Sequence, residues 1–420
     1  MARLFALPDF RALLATDACA TLASRALAVV VGYQVYALTR SPLALGMLGL
    51  VEAIPALSLA LYGGHVADRC ERRGILRFTL ATLAGCGLAL ALLAASSHAQ
   101  LSLAALYGVV FVAGVARGFA EPAAVALEAE VVPPELIVRS APWFASTWLV
   151  CAIAGPVLGG YVFAAGGAGA TYLLLAALYA GAWTAASRLP RRPPPPPAEH
   201  ESVWESIKSG VQYVVGEQIL VGSMALDLFA VLFGGVIAIL PVFAADILRV
   251  GPLELGFLNA APNAGALLTM LHAAFHPPRR HAGRILLVAV AGFGVSMIVF
   301  ALSRNFYLSL AVLAVSGVCD GISVVIRRSI VRLYSPEHLR GRIAAVSMIF
   351  IGSSNELGAL ESGLAASWLG TVPSVVAGGS LTLIVVAATA LWAPRLRQLR
   401  LDQRPLLPPQ PDRAPDQPPA

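Results

Sequence analysis

Seven carboxylates, Asp17, Glu52, Glu121, Asp227, Asp320, Glu356 and Glu361, fall inside long apolar runs of the sequence. Arg25 and Arg117 do the same, as do the amides Gln34, Asn259, Asn263 and Asn355. A charged side chain at the centre of a bilayer costs about 2.5–3.5 kcal/mol on insertion scales, so each must face a partner or water. Arg117 and Glu121 stand four apart on one helical face and can pair. Asn259 and Asn263 share a face around Pro262, and Glu52 lies three residues before Pro55. A structural ion pair explains any one of these acids, but seven exceed what packing needs.

The chemistry such groups can do is proton exchange. Burial favours the neutral carboxyl and a nearby arginine favours the charged one, so a carboxylate whose arginine separates between two states loads and releases a proton. Asp17 with Arg25, Glu52 and Asp227 are the candidates, with Asp227 favoured for its place near mid-span. The five cysteines are dispersed without paired spacing, and neither a metal site nor a cofactor is expected.

These side chains are carried by apolar segments. The 420 residues are 58% hydrophobic and 12% charged, with a mean hydropathy of +0.77, against roughly 25% charged in a soluble domain. Runs of about 20 apolar residues cross a bilayer as helices because every backbone group is then bonded internally. The segmentation predicts spans near 13–38, 43–66, 75–97, 101–122, 142–165 and 169–189, then 216–245, 253–275, 283–302, 307–327, 342–366 and 372–393. The expected fold is an all-α integral membrane protein of twelve helices in two pseudo-symmetric six-helix bundles.

The net charge of +6 does not point to nucleic acid, because the basic residues are spread among loops on alternate sides. Arg69, Arg72, Arg73, Arg77, Arg139, Arg188, Arg191, Arg192, Lys208, Arg279, Arg280, Arg284, Arg328, Arg332, Arg340 and Arg342 fall on one side; the other has Arg40, Arg249 and Arg304. The positive-inside bias predicts both termini in the cytoplasm and a multi-pass protein of the inner membrane. The first dozen residues, with Arg3, Asp9 and Arg11, do not read as a cleavable signal peptide.

The chain divides into residues 1–190, a cytoplasmic proline-rich linker at 191–210, residues 211–394 and a disordered cytoplasmic tail at 395–420. The two larger parts repeat. Ser41-Pro-Leu-Ala-Leu-Gly46 recurs 210 residues later as Gly251-Pro-Leu-Glu-Leu-Gly256, with Ala56-Leu57, Arg69 and Ile75-Leu76 matched by Ala266-Leu267, Arg279 and Ile285-Leu286. Repeated halves are the architecture in which a midplane site opens to each side in turn.

The loop after the second span reads Gly63-Gly64-His65-Val66-Ala67-Asp68-Arg69-Cys70-Glu71-Arg72-Arg73. It resembles the signature of the major facilitator superfamily, with Glu71 where the signature has Gly; Pro278 replaces the aspartate in the second half. By that resemblance Gly64, Asp68, Arg69, Arg72 and Arg73 form a cytoplasmic gate. Gly155-Pro156-Val-Leu-Gly159-Gly160 in the fifth span resembles the superfamily's antiporter pattern, and favours export over uptake. Val35–Gly46, Ala225–Gly235 with Leu240–Phe243, and Ser354–Gly363 resemble the branch of enterobactin exporters and macrolide efflux proteins.

The resemblance implies secondary active export of a small amphipathic molecule, a drug, siderophore or secondary metabolite, by proton antiport. Small-molecule substrate, membrane lipids and protons are the expected partners of a monomer. Gln34, Arg117, Glu121, Asn259, Asn263, Asn355 and Glu356 are the expected polar lining of its cavity. A lipid or lysolipid flippase on the same scaffold is the alternative, followed by a receptor or scaffold that has lost transport. A membrane transferase is disfavoured because no DDxxD-like cluster is present, and no enzyme activity is expected.

Overall fold

The computed structural model describes residues 2–95, 102–192, 203–276, 280–336 and 339–402, and the regular elements among them are all helical. Pro8 opens α1 (Pro8–Thr39), and Arg40 closes it in the left-handed region, its N–H donating to the Tyr36 carbonyl. Ser41 then caps α2 (Pro42–Arg69) by accepting from the Ala44 N–H. A single residue pair thus turns the chain back. At 1.5 Å per residue, the 32 residues of α1 extend about 48 Å, beyond the roughly 30 Å hydrocarbon core.

Helices α3 (Arg72–Ala95) and α4 (Leu103–Val131) follow, then α5 (Ile137–Ala186), whose 50 residues are about twice what one crossing needs. Gly167 divides it, with φ 71 and ψ −169, a conformation open to glycine. The break expected between 165 and 169 therefore has one residue as its cause. Helix α6 (Val203–Gly216) overlaps the end of the linker expected at 191–210. Its apolar residues 203, 204, 207, 211, 214 and 215 recur at helical spacing and no proline interrupts them. The proline run from 193 lies outside the described residues.

The span expected near 216–245 corresponds to the apolar stretch Gln218–Ile247, which is not one regular helix. Helix α7 (Gln218–Gly234) stops at Gly234, Gly235 is extended, and the chain proceeds through short helical turns at Ile237–Ile239, Leu240–Val242 and Phe243–Ile247. The glycine pair lowers helix propensity, and Pro241 has no N–H to continue the ladder. The remaining helices are α8 (Pro252–Phe275), α9 (Ala282–Leu302), α10 (Phe306–Tyr334), α11 (Arg340–Leu369) and α12 (Thr371–Trp392). Beyond α12 the tail is not structureless from 395: Leu396 and Leu399 are buried, Leu396 beside Gly222 and Gly283. Residues 403–420, with Pro278 and Arg279, lie outside the described residues.

Among the described residues nine helical stretches are long and apolar enough to cross a membrane, one being the double-length stretch at 139–186. Helices α8 and α11 have comparable length and carry Glu254, Asn259, Asn263, Asn355, Glu356 and Glu361. Outward faces expose large apolar side chains such as Phe78, Leu268, Val288 and Ile384, a surface suited to lipid.

Helices α1 to α5 pack chiefly on one another, as do α7 to α12. The two groups meet along α2 with α11 and α5 with α8, and where α1 reaches the turns after α7. Gly46 and Gly363 bring α2 and α11 backbone to backbone: a Cβ on Gly46 would stand 3.0 Å from Gly363 Cα. Asp246 accepts from the Tyr36 hydroxyl and pairs with Arg40 at 3.1 Å. All these seams lie toward the membrane end opposite the arginine-rich loops.

Candidate functional site

Arg117, from the middle of α4, is the hub of the polar interior. Its guanidinium reaches Glu52 on α2 at 3.0 Å, Glu121 one turn along α4 at 3.1 Å and Glu356 on α11 at 3.7 Å. Glu52 and Glu356 come from opposite helical groups, so this network bridges the space between them. Glu121 is 70% exposed although it lies on a face shared with Arg117, and Asn355 beside Glu356 is also exposed. Helix α4 holds Arg117 close to α2 through its small residues: a Cβ on Gly114 would overlap the Glu52 carbonyl.

Arg25 does not join that hub, nor does an ion pair link it to Asp17. Eight residues of helix separate the two by about 12 Å along α1, and the Arg25 guanidinium lies over Trp148, 5.0 Å from the ring centroid. That corrects the expected Asp17–Arg25 pair. Gln34 accepts from the Tyr172 hydroxyl, a link within one helical group. Asn259 donates to the Leu255 carbonyl of its own helix at 2.9 Å, and Asn263 is half-buried.

Asp227 on α7 forms a buried ion pair with Arg327 on α10. Asp320 is 3.9 Å from the same guanidinium, and Arg327 Nε donates to Ser323 Oγ at 3.1 Å. Sequence reasoning missed Arg327, because the tenth span was expected to end there while α10 continues to Tyr334. The signal was present: Asp320, Ser323 and Arg327 are spaced i, i+3 and i+7 on one face. Asp246 was missed too, although it sits 210 residues from Tyr36, the offset of the repeat.

In the loop after α2, Arg72 pairs with Glu130 at the end of α4 and donates to the Ala67 carbonyl. Asp68 is 62% exposed and 3.7 Å from Arg72, Arg69 is exposed, and Arg73 donates to the Ser187 carbonyl at the end of α5. The glycine at a close approach is Gly63, whose Cβ would overlap the Gly118 carbonyl; Gly64 has open space. Along α5 the expected packing surface faces two neighbours. Gly155 and Gly159 lie against Arg25 and Ala26 of α1, while Pro156 and Gly160 lie against Gly256 and Pro252 of α8. Among the described residues no three metal-binding side chains converge.

A family profile described as transmembrane secretion effector, of the major facilitator type, matches residues 4–414. The chain belongs to that family. It is therefore a multi-pass membrane protein and an efflux transporter of the major facilitator type, not an enzyme. Among the secretion effector's relatives is the enterobactin exporter EntS of Shigella boydii serotype 18 (strain CDC 3083-94 / BS512), 25% identical over 398 residues, which cover 94% of each chain. The multidrug efflux pump Tap of Mycolicibacterium fortuitum is 30% identical over 207 residues, 49% of this chain and 50% of the pump. Among solved structures, a bacterial homologue of the human lysosomal transporter Spinster, inward-facing and unoccupied, superposes with a TM-score of 0.73 at 15% identity, over 93% of this chain and 97% of that one. A POT family transporter bound to 5-aminolevulinic acid superposes with 0.72 at 10% identity, over 92% and 96%. These two likenesses speak to the fold alone.

Proposed function

We propose that this secretion effector exports a small amphipathic molecule in exchange for protons, by alternating access between two six-helix bundles at 1–190 and 211–394. The reading takes the two parts of α5 as separate spans and α7 with its trailing turns as one, which makes twelve. It places both termini in the cytoplasm, on the arginine-rich side, and the protein acts as a monomer.

The observation that carries the proposal is the contact of Arg117 with Glu52 and Glu356, because it joins a helix of each bundle across the space between them. Rocking the bundles separates α11 from α4 while Glu52 and Arg117 remain in one bundle. A carboxylate parted from a guanidinium in a low-dielectric interior binds a proton more readily. Protonation is thereby tied to which side is open. Asp227, with Arg327 as partner in its own bundle, is not separated by the same motion. The closed seams at Tyr36–Asp246, Gly46–Gly363 and Gly160–Pro252 support an inward-open arrangement, as does Asp68 lying free of the opposite bundle. The efflux relatives support an outward direction.

The test is transport into inside-out proteoliposomes, with a fluorescent lipophilic cation and a catecholate siderophore as probes. An imposed pH gradient is expected to drive accumulation of at least one. Accumulation of neither, by protein that is folded and correctly inserted, would remove the proton-exchange reading.

A further inference from the structure

Arg73 and Arg77 stand four apart on α3, on one helical face, with the end of α5 against them. Arg73 donates through Nη2 to the Ser187 carbonyl at 2.6 Å, and the Arg77 guanidinium lies over Trp183, 4.8 Å from the ring centroid. The Nε atoms of both arginines are buried and have no hydrogen-bond partner. Each is a donor withdrawn from water without an acceptor, an arrangement that costs free energy until something accepts from it. Neither arginine takes part in an ion pair among the described residues. Of the neighbouring acids, Glu130 pairs with Arg72 and Asp68 lies 3.7 Å from the same guanidinium. Two like charges on one turn, without a counter-charge, repel.

The setting is the border between the packed interior, where Trp183 is half-buried, and the outer surface. Phe78, next to Arg77, is 75% exposed, and Trp183 is an aromatic residue three positions before the end of α5. Aromatic rings of this kind mark the level of lipid headgroups. A neutral headgroup would leave the paired positive charge unanswered.

We infer that the surface where the start of α3 meets the end of α5 binds the phosphodiester of an anionic phospholipid, held between the guanidinium groups of Arg73 and Arg77. The phosphate oxygens accept from the guanidinium N–H groups that Ser187 leaves free, a charge-assisted contact. Its negative charge cancels the repulsion between them. The acyl chains descend along Phe78. Arg73 is thereby a lipid ligand that also fixes the loop after α2 against α5, so the headgroup stabilises the arginine-rich end of the first helical group. The site lies outside the Arg117 network and does not depend on proton exchange.

Native mass spectrometry of the full chain in detergent, titrated with phosphatidylglycerol and with phosphatidylcholine of the same acyl chains, tests this. At about fivefold per arginine near a membrane surface, the wild type should prefer phosphatidylglycerol by about 30-fold. Arg73→Gln/Arg77→Gln should abolish the preference. Arg77→Gln alone keeps the tie to Ser187, guards against misfolding, and should lose about fivefold. Arg328 and Arg332 form another i, i+4 arginine pair, exposed at the same end on α10, and Arg328→Gln/Arg332→Gln should leave the preference intact. An unchanged preference in both Arg73/Arg77 variants overturns the site. Equal loss in the α10 variant overturns it as well, because the preference is then general electrostatics. Displacement by glycerol phosphate at concentrations matching the lipid would show a free phosphate site instead.

Discussion

Arg117 on α4 stands 3.7 Å from Glu356 on α11 and 3.0 Å from Glu52 on α2, so the bond across the two helical groups is the longer of the two. On the proposed alternating access, the guanidinium would stay with Glu52 and Glu356 would be left without its cation. The asymmetry singles out Glu356 as the acid whose partner depends on conformation. Glu356→Gln keeps the shape and some hydrogen bonding while removing the titrating group. Downhill exchange of substrate should persist at near wild-type rate, and uphill accumulation driven by a pH gradient should fall at least tenfold. Glu121→Gln, at a position 70% exposed, should leave both within about twofold, since exposed i, i+4 pairs contribute about 0.3–0.5 kcal/mol. Retained uphill transport by Glu356→Gln would move the coupling role elsewhere.

Asp68 offers a cleaner separation of stability from mechanism. Its contact with Arg72 is 3.7 Å long and 62% of its side chain is exposed, whereas Arg72 is secured by Glu130. Removing such a pair costs about 0–1 kcal/mol, so Asp68→Asn should barely move the melting temperature. On the proposed gating role, a transport defect would arise in the other conformation of alternating access. Initial rates for a lipophilic cation and for a catecholate should fall by a similar factor with binding nearly unchanged. A strong shift in preference between the two probes would place Asp68 in recognition instead.

The glycines divide by what a side chain would meet. A Cβ on Gly160 overlaps the Pro252 carbonyl, and one on Gly63 overlaps the Gly118 carbonyl, while Gly64 has open space. Gly160→Leu should destabilise by about 1–3 kcal/mol, the usual cost of overpacking, and reduce transport. Gly63→Ala should be harmful and Gly64→Ala silent, as read by expression yield and thermal melting in detergent. Full function of Gly160→Leu would show that α5 and α8 do not need their close seam.

Much of this was legible in sequence because hydropathy and loop charge are properties of whole segments. The break at Gly167 fell within the gap expected between two spans, and the i, i+4 spacing of Arg117 and Glu121 already placed them on one face. Contacts between helices were not legible, since no local pattern says which helix faces which. The selection of Gly64 over Gly63 shows this: the two differ only in whether α4 lies alongside. Helix α6 was hidden by the proline run before it, and the early end of α7 by an apolar run that does not reveal where the glycine pair will bend it. Asp17 and Arg25 were paired by proximity in sequence, which a helix converts into distance.

The last prediction concerns Asp227, the favoured proton carrier on sequence grounds. Its carboxylate meets Arg327 where both side chains are nearly closed to solvent, 9% and 12% exposed, with Asp320 at the far side of the same guanidinium. Both helices belong to one packed group, so alternating access gives this pair no occasion to separate. Removing one partner of a buried ion pair costs about 3–5 kcal/mol where the remaining charge is uncompensated, and Asp320 at 3.9 Å offsets part of that cost for Arg327. Asp227→Asn should therefore reduce folded yield and lower downhill exchange and uphill transport together, unlike Glu356→Gln. Replacing both partners removes the stranded charge, and Asp227→Asn/Arg327→Gln should recover a substantial part of the lost stability. Asp320 would then keep its own exposed carboxylate hydrated, at 48% exposure. Transport at equal amounts of folded protein decides the matter. If Asp227→Asn folds normally and loses only gradient-driven accumulation, Asp227 carries the proton and the Arg117–Glu356 bond is a strut between the helical groups.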